Sequence, residues 1–157
     1  MSLHFQLDIA FDIKDDTSEL IISGLGNLTS GILLTENQQK KIPRILTYLT
    51  PKMNDNSFYG SSIFYFKKHY RFTKNKVDFY KYTFHLRQIF GDDAFYEEGY
   101  PLLAWFSKIS ETEGFVGYYK EEFNERPQWL YFRNSEVLFD DNPEQKFKLS
   151  DFNTDYD

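Results

Sequence analysis

The chain predicts a single α+β domain, an antiparallel-rich sheet with helices packed on one face. Three observations point there. Leu3, Phe5, Leu7, Ile9, Phe11 and Ile13 alternate with His4, Gln6, Asp8, Ala10 and Asp12, the period of a half-buried strand. Two long aromatic runs, 61–72 and 78–90, flank a short polar turn. Leu102, Trp105, Phe106 and Ile109 fall on one helical face, and two more aromatic runs follow. Aromatic residues make up 20% of the chain, with 17 Phe and 12 Tyr, which favours sheet. An A·T-rich genome, large buried area and an aromatic binding surface each account for such a bias.

After the strand over 3–13, Asp16 and Glu19 read as a capping box for a helix to about Leu28. Gly24 and Gly26 weaken that helix, and a hairpin with Glu19–Leu25 as the returning strand is the alternative. Residues 29–57 read as an insert. Within it Ile42, Ile45, Leu46 and Leu49 have helical spacing with Pro43 near the start, Pro51 should stop the helix, and Asn54–Ser57 is a loop. The hairpin 61–90 is expected to turn over Thr73–Val77, centred on Asn75. That centre pairs Phe66 with Phe84, Phe64 with Leu86 and Tyr70 with Tyr80 on one face. On the other it pairs Tyr65 with His85, Lys67 with Thr83 and His69 with Lys81. Asp92 and Asp93 lead to a helix from Tyr100, with Pro101 in its first turn. Phe115–Glu121 and Gln128–Phe132 are strands joined by the charged loop Glu122–Pro127. Gly117, inside the first of these, marks a bulge or a close approach by another group; it could open a shallow pocket beneath the tyrosines, and bulging alone is the preferred explanation.

Residues 1–133 therefore form one domain, and 134–157 an acidic C-terminal extension. The extension carries −5 of the chain's net charge of −6. Val137, Leu138 and Phe139 could add an edge strand there, and the last ten residues look loosely ordered. There is no cysteine, which excludes disulfides and thiolate chemistry in this chain. No apolar run has the length of a membrane span, and the opening residues do not form a signal peptide, so a cytoplasmic protein is expected.

The element order matches the split βαβ arrangement of a ferredoxin-like sandwich, with an extra C-terminal strand. FDIKDDT (11–17), GSSIFYFKKH (60–69), YTFHLRQIF (82–90) and GFVGYYKEEFNERPQWLYF (114–132) together resemble a group of small bacterial proteins. The resemblance covers about two thirds of the chain and implies a ferredoxin-like fold. That group has no assigned activity, so no catalytic residue carries over.

Three sets of residues invite a site. His4, His69 and His85 lie in the polar phase of adjacent strands, with Asp8 and Asp12. His69 and His85 are about 13 Å apart along the hairpin at strand rise, too far to share one metal ion, and no metal is expected. Lys67, Lys68, Arg71, Lys74, Lys76 and Lys81 face only Asp78 and form a basic patch with interleaved aromatics. Phosphate contact and base stacking would suit nucleic acid, but the acidic balance of the chain disfavours it. A solvated edge hairpin, or a patch covered by the acidic tail, explains the same run. Glu97, Glu98, Glu121 and Glu122 are adjacent acids without the fixed separation that acid–base catalysis needs. Phosphate-loop, nucleophile-elbow and zinc-protease motifs are absent, and no cofactor is expected.

The expected function is non-enzymatic binding, to a protein partner or to a second copy through the polar sheet face. A small acidic neutraliser of a basic partner, such as a secreted toxin, is one form of it. The alternative is a small-molecule sensor or enzyme with its pocket on that face, using His85, Arg87, Asp8 and Tyr118.

Overall fold

Every residue on one side of the first strand is apolar, and the structure is built on that side. The structure, a computed structural model, describes residues 3–49, 62–154 and 156. Strand β1 (His4–Asp12) buries Phe5, Leu7, Ile9 and Phe11 to 3% exposure or less. It pairs antiparallel on both sides, with β3 (Val77–Gly91) and with β4 (Gly114–Glu121). Beyond β3 lies β2 (Ile63–Lys74), and beyond β4 lie β5 (Gln128–Arg133), β6 (Glu136–Phe139) and β7 (Lys146–Phe147). The result is an α+β chain with a seven-stranded antiparallel sheet, order β2-β3-β1-β4-β5-β6-β7. The sequence led us to expect one extra C-terminal strand. Here β6 and β7 continue the meander past β5, so the sheet is larger.

The β2–β3 hairpin has the register that the alternation of faces dictates. Phe64, Phe66 and Tyr70 pair with Leu86, Phe84 and Tyr80, and Tyr65, Lys67 and His69 pair with His85, Thr83 and Lys81. The turn is tighter than Thr73–Val77. It is the two-residue Asn75–Lys76, both at positive φ, and one extra residue, Arg71, bulges out of β2. Two-residue turns of this hand match the twist of the flanking strands. The Asn134–Ser135 turn between β5 and β6 is built the same way.

The helices lie on the apolar side. Helix α1 (Glu19–Thr29) resolves the helix-or-hairpin choice in favour of helix. Its cap is Ser18, whose Oγ accepts from the Leu20 N–H, rather than Asp16. Gly24 is tolerated because Ile42 packs where a Cβ would stand. In the insert, α2 (Glu36–Gln39) has a capping box of Thr35 and Gln38, and α3 (Ile45–Leu49) follows Pro43. The expected stop at Pro51 and the loop Asn54–Ser57 lie outside the described residues.

The second crossover begins earlier than Tyr100. Helix α4 (Asp92–Ala94), a π-helical stretch (Phe95–Gly99) and α5 (Tyr100–Ile109) run on without a break. Pro101 lacks an N–H for the helix ladder. It follows the point where the Tyr100 N–H reaches back to the Phe95 carbonyl, five residues away, so the missing donor falls where the ladder shifts. From α5, Leu102, Trp105 and Phe106 reach the sheet fully buried, with Phe106 against Phe11 and Phe84.

The acidic segment is part of this packing. Val137 is fully buried, so Val137–Phe139 lies inside the sheet, between β5 and β7, rather than at its edge. Phe147 stacks on Tyr100 and meets Phe152 edge-on, so the segment expected to be loose is anchored at these points. The β2 and β7 edges are opposite ends of the sheet, which rules out β7 as a cover for the basic run of β2.

Gly117 is the register partner of Leu130 and follows the bulge of β4, whose extra residue is Val116. Its φ is +152°, and a Cβ there would lie 2.0 Å from the Asp8 carbonyl oxygen. The close approach is to the backbone of β1, not to an open pocket. Gly117→Ala should cost about 2–4 kcal/mol, readable as a fall in denaturant midpoint. An unchanged midpoint would show that β1 and β4 can part without penalty.

Burial raises the pKa of Tyr100, Tyr119 and Tyr156, the last to about 12. For Tyr119 a hydrogen bond to Tyr100 adds to the rise. A phenol whose folded pKa is raised stabilises the fold fully below its unfolded value of about 10 and loses that contribution as pH climbs through the folded pKa. Ionisation of these three rings, read by tyrosinate absorbance, should therefore lag behind that of a free tyrosine, with stability declining from pH 10 upward.

Candidate functional site on the open face of the sheet

Opposite the helices, the polar residues of β1 line up with their neighbours. No helix covers this face among the described residues. Asp8 is the register partner of Arg87 on one side and Tyr118 on the other, and Ala10 is the partner of His85. The four residues singled out from the sequence, Asp8, His85, Arg87 and Tyr118, are thus brought together across three strands. Period two alone puts them on one face; the order of strands makes them adjacent.

Asp8 is the centre of the group. His85 Nε2 is 2.9 Å from Asp8 Oδ1, and the Arg87 Nε stands 3.9 Å from Asp8 Oδ2. That Nε is buried and has no hydrogen-bond partner. An unpaired buried donor of this kind costs about 1–3 kcal/mol. The Tyr118 hydroxyl accepts from Gln6 at 3.0 Å. Further along, Arg71 and Thr83 both donate to Asp12, and Lys81 is held by Asp15 and Glu111, which raise its pKa. The Tyr65 hydroxyl is 2.8 Å from His69 Nε2, and His4 Nδ1 is 2.8 Å from Glu122.

The histidines do not converge. His69 lies four register positions from His85 along the hairpin, and His4 sits at the far end of β1. Among the described residues no three His, Asp or Glu side chains come close enough to hold a metal ion. A depression of about 540 Å³ on this face is lined by His4, Gln6, Ile89, Lys120 and Glu122. It touches none of the four predicted residues directly.

The basic patch is not one surface. Lys67 shares the open face with Tyr65, whose ring it overlies at 5.6 Å, whereas Lys68 overlies Tyr80 and Tyr82 on the other face. Arg71 and Lys81 are neutralised by carboxylates. Lys74 and Lys76 sit at the hairpin tip, which extends about 20 Å beyond the end of β1 at strand rise.

No family model, curated protein or solved structure matches the chain.

What reading residue by residue missed is the aromatic group of β4 and β5. Phe115 and Trp129 are about half exposed and meet edge to face at 5.7 Å. Tyr131 and Tyr118 flank them. The β4 bulge places Phe115 and Tyr118 on the same face despite their odd spacing, a shift that simple alternation does not show. A second exposed pair, Phe72 stacked on Phe79 at 4.9 Å, lies on the projecting hairpin.

Asp8→Ala should leave His85 without its partner and Arg87 without its nearby charge. The expected loss is about 1–2 kcal/mol, with His85→Ala and the double variant less than additive. Full additivity in a denaturation cycle would show the pair to be uncoupled.

Proposed function

We propose that the chain is a non-enzymatic protein-binding module whose partner seats on the open face of the sheet, over Phe115 and Trp129. One observation carries the reading: large aromatic side chains stand exposed on a face where Asp8, His85, Asp12 and Tyr118 already engage side-chain partners. Tyr and Trp dominate binding energy at protein interfaces, and fixed ion pairs around them suit a polar rim. The strand order β2-β3-β1-β4, with helical crossovers after β1 and β3, supports a ferredoxin-like core carrying β5, β6 and β7 as an extension. Open sheet faces of such cores are available for docking. The chain's acidic balance favours a basic partner, which it would meet faster at low salt.

A second reading, a small-molecule site, is favoured by the adjacency of Asp8, His85, Arg87 and Tyr118. Arg87 could hold a carboxylate or phosphate. Against it, Asp8 is already engaged by His85, and the nearby depression is lined by other residues.

The test is paired affinity capture from a native lysate with the wild-type chain and with F115A/W129A, both checked for unchanged thermal stability. A protein held by the first and lost by the second, with retention weakening as salt rises, is the expected result. Equal capture by both would overturn the aromatic face as the binding surface. A thermal shift with a metabolite that disappears in Arg87→Ala would move the function to the second reading.

A further inference from the structure

A second depression lies on a different part of the molecule, where β1 hands over to α1 and the end of α5 packs beneath. Its volume is about 320 Å³. Lys14, Thr17 and Ser18 line it from the β1–α1 connection, and Trp105 and Lys108 from α5, with Asp16 the acidic side chain among its lining.

The donors here have nothing to donate to. Trp105 is fully buried, so it forms the floor, and its indole N–H has no hydrogen-bond partner. The Thr17 hydroxyl is also buried and unpartnered. Of the three orphaned buried side-chain atoms among the described residues, two are in residues lining this one depression. Lys14 and Lys108 enter no ion pair among the described residues. The first turn of α1, an eleven-residue helix capped by Ser18, opens on the same place.

These features share one chemical sense. An indole N–H can only donate, a lysine ammonium only donates, and the start of a helix carries a partial positive charge. Buried donors left unpaired are rare in folded proteins and call for an acceptor. A compact oxyanion with several acceptor oxygens would satisfy the floor and the rim together.

We propose that this depression is a binding site for a phosphate group, free or carried by a small phosphorylated molecule. The phosphate oxygens accept from the Trp105 indole and the Thr17 hydroxyl, and Lys14 and Lys108 balance the charge. The site is separate from the open face: Trp105 and Ile21 belong to the helical layer, while Phe115 and Trp129 lie across the sheet. Its success or failure therefore leaves the protein-binding reading untouched.

The chain offers its own probe, because it has two tryptophans, one at the proposed site and one on the open face. A ¹⁵N-labelled sample gives two indole N–H resonances, assigned with Trp129→Phe. Inorganic phosphate and glycerol 1-phosphate would be titrated against chloride at matched ionic strength. The expected result is a saturable shift of the Trp105 resonance with the Trp129 resonance fixed. In K14Q/K108Q the affinity should fall about tenfold or more, equivalent to about 1.4 kcal/mol, with the rest of the spectrum unchanged. Tighter binding of glycerol 1-phosphate would assign an organic phosphate, and equal binding the free ion. A Trp105 resonance that ignores both phosphates, that moves equally with chloride, or that shifts undiminished in the double variant would overturn the proposal.

Discussion

The structure depends on β1 being paired on both sides in a fixed register. A one-residue slip of a strand moves every side chain to the opposite face. Here a slip would expose Phe5, Leu7, Ile9 and Phe11 and bury Asp8 and Asp12. The apolar set has the helical layer to meet, and the polar set has His85, Arg87, Thr83 and Tyr118 as neighbours. Gly117 fixes the other edge, because only a residue without a Cβ lets β4 come against the Asp8 carbonyl. One constraint thus sets both the core and the open face.

From that register the two faces acquire different characters. The helical side is dense with aromatic contacts, in which Phe95 touches Phe5, Phe90, Tyr100 and Tyr119. Ring pairs of this kind add about 0.5–1.5 kcal/mol each beyond their buried area. The open side holds its polar groups in short cross-strand pairs and leaves its aromatic rings at two places, on β4–β5 and on the hairpin arm. Among the described residues, no helix is long and apolar enough to cross a membrane.

Much of this was legible in the sequence where one period governed one element. The alternation of β1 and the facing pairs of β2 and β3 each follow from residue order alone. The four residues Asp8, His85, Arg87 and Tyr118 could be placed on a common face for the same reason. Legibility failed where a local irregularity carried the structure. The bulges at Arg71 and at Val116 change the phase of a strand, so the turn at Asn75–Lys76 and the exposed rings of β4 were misread or missed. Pro101 suggested a helix start because the π-turn before it leaves no mark in composition. Val137, Leu138 and Phe139 could be read as an added strand, but the acidic charge of 134–157 hid Phe147 and the further strand that moves them off the edge. The donors around Trp105 come from two segments distant in sequence, and only packing brings them to one place.

Native-state hydrogen exchange tests the central role of β1 most directly. The account predicts that the amides of Leu7, Ile9 and Phe11, together with Phe84 and Leu86 of β3, exchange only through global unfolding. Amides of the arm, from Tyr70 to Tyr80, have one partner strand and no covering layer, and should exchange far faster through local opening. Fast exchange across Leu7–Phe11, or protection in the arm equal to theirs, would contradict a fold built outward from β1.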